Sequence, residues 1–222
     1  MNLLLKIITC ILPWPLRRHV LQRLFGFELH PTARIGWAWI FPQKLVMAAG
    51  SSIDHFTVAI HLDAIKLEER ASIGRSNWIT GFPSNSKSPH FSHQVARESK
   101  LLMGESSAVT KNHHLDCTNT INIGRFATVA GYQSQFLTHS IDVFENRQDS
   151  APIIIGAYAF VGTNSVVLGG SVLPAYSILG AKSLLNKSHT EEWRLYGGVP
   201  AKELQTIPRT AKYFNRADGF VF

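Results

Sequence analysis

Cysteine is scarce. Cys10 and Cys117 are the two thiols in 222 residues. They cannot build a disulfide framework, and both are expected as free thiols in a reducing compartment. Long hydrophobic runs are also missing. The most apolar stretch, residues 1–14 (MNLLLKIITCILPW), carries the single charge Lys6 and is broken by Pro13 and then Pro15. It is shorter than the ~20 residues that span a bilayer. No small-x-small cleavage pattern follows it, which argues against a secretory signal. Acidic residues are few, 15 against 22 Lys and Arg, and the formal net charge is +7. The excess sits at the ends. Residues 1–34 hold five Lys/Arg against one Glu, and residues 182–222 hold seven against four acids. Zinc-finger, P-loop and RNA-binding signatures are absent. Nucleic acid is therefore not the expected partner, and the basic ends point instead to lipid headgroups or phosphates.

What is present is a period. Residues 155–184 divide into IGAYAF, VGTNSV, VLGGSV, LPAYSI and LGAKSL. Each block opens with Ile, Val or Leu and has Ala or Ser in its fifth place. A helix repeats at 3.6 and a strand at 2. Six fits a short strand plus a corner at constant length, three of which close one triangular coil. The opening residue then points inward and stacks on its equivalent one coil away, ~4.8 Å along the axis. The crowded corner takes the small residue, with Gly, Asn and Pro between. These are the features of an all-β solenoid. The register recurs at Leu67, Ile73 and Ile79, with Ala71 and Asn77 in fifth place. It recurs again at Met103, Val109, Leu115 and Ile121, and as a shifted set at Ile123, Val129 and Gln135. Two polar stretches break it, 82–100 and 140–152, and are expected as loops leaving the solenoid, where sites are usually built. The predicted organisation is an N-terminal segment 1–33, a solenoid 34–187 and a C-terminal extension 188–222 with a short helical tail. In the first segment Leu16, Val20, Leu21, Leu24 and Phe25 share one predicted helical face, with Pro15 at its start and Gly26 at its stop. Residues 1–25 are read either as a helix packed on the domain or as a peripheral membrane contact.

The thirty-residue run, followed by YGGVPAKEL (196–204), resembles the hexapeptide-repeat acyltransferases over roughly residues 34–204. GGVPAK is similar to that family's Gly-Asn-Pro-Ala-Lys ending, with Val199 in place of Asn. LTHSID (137–142) is similar to the Thr-His-Pro-Ile-Asp segment of its sugar and nodulation-factor O-acetyltransferase branch, with Ser140 in place of Pro. The resemblance implies a left-handed parallel β-helix, a homotrimer, and acetyl-CoA as co-substrate with no metal. It implies direct acetyl transfer to a hydroxyl of a saccharide or glycolipid, in surface-polysaccharide or glycolipid assembly, with amide transfer to an amino sugar left open. It also implies a cytoplasmic protein, with peripheral contact on the cytoplasmic face of the membrane left open by the N-terminus. Exposed aromatics such as Trp37, Trp39 and Trp78 give trimer formation a physical motive.

On that resemblance His139 is the general base, since an imidazole titrates near neutral pH. Asp142, three residues on, is assigned to orient it or hold the acceptor, with turn capping as the alternative. Arg147 is a candidate for the acceptor. KNHHLDC (111–117) supplies further acceptor-binding candidates, Asn112, His113, His114 and Asp116, facing His139 across a subunit cleft. Gly162, Gly180, Lys182, Lys187 and Lys202 in the last coils and the ending are the CoA-binding candidates, the lysines as point charges for phosphate. Two other readings stay open. One is a non-catalytic hexapeptide scaffold. The other is a zinc enzyme like the gamma-class carbonic anhydrases, although their His pair five residues apart is missing from His55/His61, His90/His93 and His113/His114.

Overall fold

The computed structural model describes residues 3–219 and Val221. Met1, Asn2, Phe220 and Phe222, at the extremes of the two terminal segments, lie outside the described residues. Two helices open the chain, α1 (Leu3–Ile11) and α2 (Trp14–Phe25). Pro13 caps α2 and Pro15 occupies its first turn, where a missing N–H costs nothing. Gly26 ends it in the left-handed region at φ 68°, and the Phe27 N–H donates back to the Leu21 carbonyl at 3.2 Å. The inward face differs from the predicted one. Arg17 and Leu21, one turn apart, are buried, while Leu16 and Leu24 stand 52% and 57% exposed. The reason is the Arg17 guanidinium, which donates to the carbonyls of Gly36 (2.6 Å) and Ala38 (2.7 Å) at the first coil and turns α2 with it.

From Glu28 onward the chain coils through three sheets of seven, nine and seven strands, parallel except for the last strand of the nine. Successive strands pass from one sheet to the next, so each strand pairs with its counterpart one coil away. Ile35 pairs with Ile53 and Ile53 with Ile73, intervals of 18 and 20 residues. The ladder continues through Val109, Val129, Val161, Leu179 and Tyr196, all buried. The fifth-place residues Ala71, Asn77, Ser107, Ala127, Ser165, Ser171, Ser177 and Ser183 are buried at the corners. Several hydroxyls there satisfy a turn carbonyl, as Ser107 does with Gly104 at 2.7 Å. Stacked corner residues such as Ser76, Asn112, Tyr158 and Lys182 take positive φ. Their backbone N–H groups bond the coil before, for example Tyr158 to the Arg125 carbonyl at 2.8 Å.

Four expectations change. The first-sheet strand Glu28–Leu29 already pairs with Val46 and Met47, so coiling starts inside the segment assigned to residues 1–33. The coils with 20-residue intervals set two inward residues on a first-sheet strand, such as Ile65 and Leu67, where the period of six allows one. The shifted set slips by one at its end: Phe136, not Gln135, points inward, because an extra residue sits in the turn after Val129. The C-terminal segment carries on the second sheet at Arg194–Gly197 and folds back antiparallel at Lys202–Thr206. Its helical content is one 3-10 turn, Lys212–Asn215. That tail covers a stack of corner rings, Phe126, Tyr158, Tyr176 and Trp193, with centroids 4.8, 5.2 and 4.6 Å apart. Arg216 lies over both Phe126 and Tyr158.

Both predicted interruptions leave the solenoid. Residues 82–99 form a folded excursion without strands. The second is not a loop but a two-stranded hairpin, His139–Asp142 with Arg147–Ser150. Its exposed strands carry no apolar face, so composition alone disguised it. No helix among the described residues is long and apolar enough to cross a membrane.

Candidate active site

His139 is the first residue of the hairpin, at the point where the chain leaves the third sheet. Asp116 lies on the preceding coil of that sheet, paired in register with Leu137. The solenoid therefore brings together two side chains 23 positions apart. The imidazole Nδ1–H donates to Asp116 Oδ2 at 2.6 Å. That bond selects the tautomer whose Nε2 carries a lone pair, and Nε2 has no hydrogen-bond partner among the described residues.

Asp116 is built as an anion site. Its carboxylate is buried, 5% exposed, and accepts from Thr118 N (3.1 Å), Thr118 Oγ1 (2.7 Å), Thr138 N (3.1 Å) and His139 N (3.2 Å). Burial alone would raise its pKa, but the hydrogen bonds from His139 and Thr118 outweigh burial and hold it below the ordinary carboxylate value. The same hydrogen bond to Asp116 raises the His139 pKa above the ordinary histidine value, against a smaller opposing effect of burial. The imidazole is thus held in one orientation by a buried carboxylate while its side chain remains 42% exposed.

His139 lines two clefts. One, of about 270 Å³, runs toward the C-terminal coils and is lined by Leu137, Ser150, Ala151, Leu168, Gly169 and Asn186. Gly169 must lack a side chain there, since a Cβ would lie 2.6 Å from the Thr138 carbonyl oxygen. The other, of about 260 Å³, runs toward the N-terminal coils between Thr80, Phe82, His90, Phe91 and Gln148. The His139 ring meets the edge of Phe91 at 6.0 Å between centroids.

The excursion that supplies the second cleft is pinned on three sides. Asp63 accepts from Ser84 N (3.0 Å) and Ser99 N (2.9 Å), fixing its two ends. Arg97 is buried beneath it, bonded to the Phe82 and Thr118 carbonyls at 2.5 Å and stacked against the Phe82 and Phe91 rings. Gln94 reaches the hairpin, donating to Asp149 Oδ1 (2.6 Å) and the Ser150 carbonyl (2.8 Å).

The remaining candidates fall elsewhere. Asp142 does not approach the imidazole; its Oδ1 accepts from the Phe144 and Glu145 N–H groups and caps the hairpin turn. His113 does not face a cleft. It is buried, with Nε2 3.0 Å from Thr110 Oγ1 and Nδ1 accepting from Ser134 N at 3.2 Å. Burial drives its pKa down to about 4, so it is a neutral corner post. Asn112 is an exposed corner residue at φ 56°. His114 sits half-buried on the outer side of the third sheet, between Trp78 and Gln135. Arg147 is exposed, opposite Asp142 in the hairpin. Gly162 is a packing glycine, where a Cβ would meet Ala181 N at 2.5 Å. Gly180 closes the next coil against the Tyr196 carbonyl. Lys182, Lys187 and Lys202 are exposed on the last turns, with Lys187 next to the cleft residue Asn186. Among the described residues no group of three His, Cys, Asp or Glu side chains is placed to hold a metal ion.

No protein-family model and no curated protein matches the chain. Solved structures do. A hexapeptide-repeat-containing acetyltransferase from Vibrio cholerae is 18% identical over 92% of this chain and 87% of that one, with a TM-score of 0.48. Its complex with acetyl coenzyme A matches at 20% identity, over 92% and 84%, with a TM-score of 0.47. A maltose O-acetyltransferase from Clostridium difficile is 11% identical over 92% of this chain and 83% of that one, with a TM-score of 0.43. The solved structures that this chain is similar to include hexapeptide-repeat-containing acetyltransferases, a maltose O-acetyltransferase and, at 12% identity, an N-acyltransferase from Bacillus cereus.

Proposed function

We propose that the chain is a CoA-dependent O-acyltransferase that moves an acetyl group from acetyl-CoA to a hydroxyl of a saccharide or glycolipid. The observation that carries this reading is the position of His139. An imidazole oriented by a buried carboxylate, its Nε2 without a hydrogen-bond partner among the described residues, belongs to a residue that lines two clefts, which this reading gives one to each reactant. Nε2 accepts the proton of the acceptor hydroxyl as its oxygen attacks the thioester carbonyl carbon. The tetrahedral intermediate collapses, the carbon–sulfur bond breaks, and the proton passes from Nε2 to the departing thiolate. No acyl-enzyme is required. Asp116 stabilises the imidazolium that forms between the two proton transfers.

The donor belongs in the cleft on the C-terminal side. It opens onto the last coils, where Lys187 beside Asn186, together with Lys182 and Lys202, offers positive charge for the CoA phosphates. The acceptor belongs in the cleft walled by Phe82 and Phe91. An aromatic wall with His90, Thr80 and Gln148 around it suits a sugar ring, which has an apolar face and a polar rim. The same reading takes the coil to be left-handed, the assembly to be a trimer, and the protein to work in the cytoplasm.

The test is a calorimetric titration of the purified protein with acetyl-CoA, which needs no knowledge of the acceptor. Saturable binding in the micromolar range is expected, about −8 kcal/mol at 1 μM, weakened by Lys187→Ala. A folded protein that binds neither acetyl-CoA nor CoA contradicts the reading.

A further inference from the structure

The N-terminal end of the solenoid carries an apolar surface that the transferase site does not use. Helix α1 buries Thr9 but turns Leu3 (62% exposed), Ile7 (46%), Ile8 (44%) and Ile11 (75%) outward along one face. The stripe does not stop at the helix. Ile11 and Cys10 form one side of an apolar groove of about 520 Å³, and Trp37, Trp39, Phe56 and Val58 of the first coils form the other. Trp37 and Phe56 are themselves 68% and 66% exposed. Aliphatic residues on a helix beside an indole and a phenyl ring make a composition suited to the acyl–headgroup boundary of a bilayer. At nine residues α1 is about 13 Å long, a length that lies in the interface rather than across it.

The charge at this end decides between partners. Lys6, Arg18, Arg23 and Arg34 make no ion pair among the described residues. Arg18 and Arg34 both donate to the Pro31 carbonyl at 3.0 Å, which brings two guanidiniums close together with no carboxylate between them. Of the two acids near this end, Glu28 is already paired with Lys44 at 3.0 Å, and the Asp54 carboxylate accepts from the His55 N–H at 2.7 Å. Copies of the chain meeting through this end would bring unneutralised cations against one another. An anionic surface neutralises them.

We propose that α1, with Trp37 and Phe56, docks the protein on an anionic phospholipid bilayer, apolar side chains in the interface and the Lys/Arg set on the headgroups. This surface is separate from the His139 clefts, so the proposal stands or falls independently of the transferase reading. The test is co-sedimentation of the full chain with phosphatidylglycerol/phosphatidylcholine vesicles and with phosphatidylcholine vesicles alone. Binding is expected to the anionic vesicles and to weaken as salt is raised. Ile7→Asp/Ile11→Asp is expected to reduce the bound fraction at least ~10-fold, and Arg18→Gln/Arg23→Gln to cost about fivefold per cation removed. Circular dichroism and gel filtration on the same samples establish that the variants are folded. No binding to anionic vesicles overturns the proposal, as does binding that neither pair of substitutions reduces. A change in oligomeric mass in Ile7→Asp/Ile11→Asp, without vesicle binding by the native chain, assigns the face to self-association and also overturns it.

Discussion

The Asp116 carboxylate accepts hydrogen bonds from Thr118, Thr138 and the His139 N–H besides the one from the imidazole, and this explains how a buried carboxylate stays ionised there. Its charge raises the His139 pKa. Only neutral His139 can accept a proton, so acetyl transfer should rise with pH along a limb centred above the ordinary histidine value of ~6.5. Asp116→Asn should move that limb to lower pH and reduce kcat by roughly 10²-fold, read from pH–rate profiles of the two proteins. Asp142→Ala should leave kcat within about twofold, because its carboxylate serves the hairpin turn; a loss comparable to Asp116→Asn would contradict this division. His113 makes a stability prediction. Its pKa is depressed to about 4 in the folded chain and is ordinary when unfolded. The unfolded state thus binds more protons below pH ~6.5, and stability falls as pH drops from there toward 4. The cost is about 2 kcal/mol between pH 7 and pH 5, and His113→Asn should flatten that part of the profile in urea unfolding. LTHSID singles out His139 and KNHHLDC includes Asp116 among its candidates, but the pairing of the two was not legible in the sequence. Asp142 is near His139 in sequence, whereas Asp116 comes to the imidazole only after one full coil.

Two inserted elements turn a uniform scaffold into a site. The hairpin presents His139 and Gln148, and the 82–99 excursion presents Phe82, His90 and Phe91. Gln94 ties one to the other through Asp149 and Ser150. Gln94→Ala should therefore raise KM for the acceptor several-fold while acetyl-CoA affinity is unchanged, a split that steady-state kinetics with calorimetry resolves. Loss of acetyl-CoA binding in that variant would place the excursion on the donor side instead. The breaks in period identified where both elements leave the coil. What they contain was hidden for a physical reason. Asp63 and Arg97 hold the excursion through backbone carbonyls and N–H groups, which impose no motif on the sequence. The slip at Gln135 has a similar origin, since one extra turn residue shifts the inward position without disturbing the pairing of Phe136 with Leu115.

At the scale of the molecule the coil is a ruler that sets side chains in rows. Ile35 through Tyr196 form one such row inside, and the rings from Phe126 to Trp193 form another at a corner. The solenoid was legible because its period is built into most inward and corner residues, and it was misread where a coil carries extra residues, as at Ile65 and Phe136. Its two ends were less so: coiling begins at Glu28, and the last turns are strands rather than helix. Removal of residues 209–222 should uncover the ring stack and lower the unfolding temperature by several degrees, with a change in Trp193 emission. An unaltered melting curve would show that the tail contributes no stability. The central claim, that His139 is the base between donor and acceptor, is tested most directly by CoA release from acetyl-CoA with a panel of saccharide acceptors. His139→Ala is compared with the native chain at equal acetyl-CoA occupancy. The account predicts a loss of 10²-fold or more with acetyl-CoA affinity retained. A variant that binds acetyl-CoA and releases CoA at the native rate would contradict it.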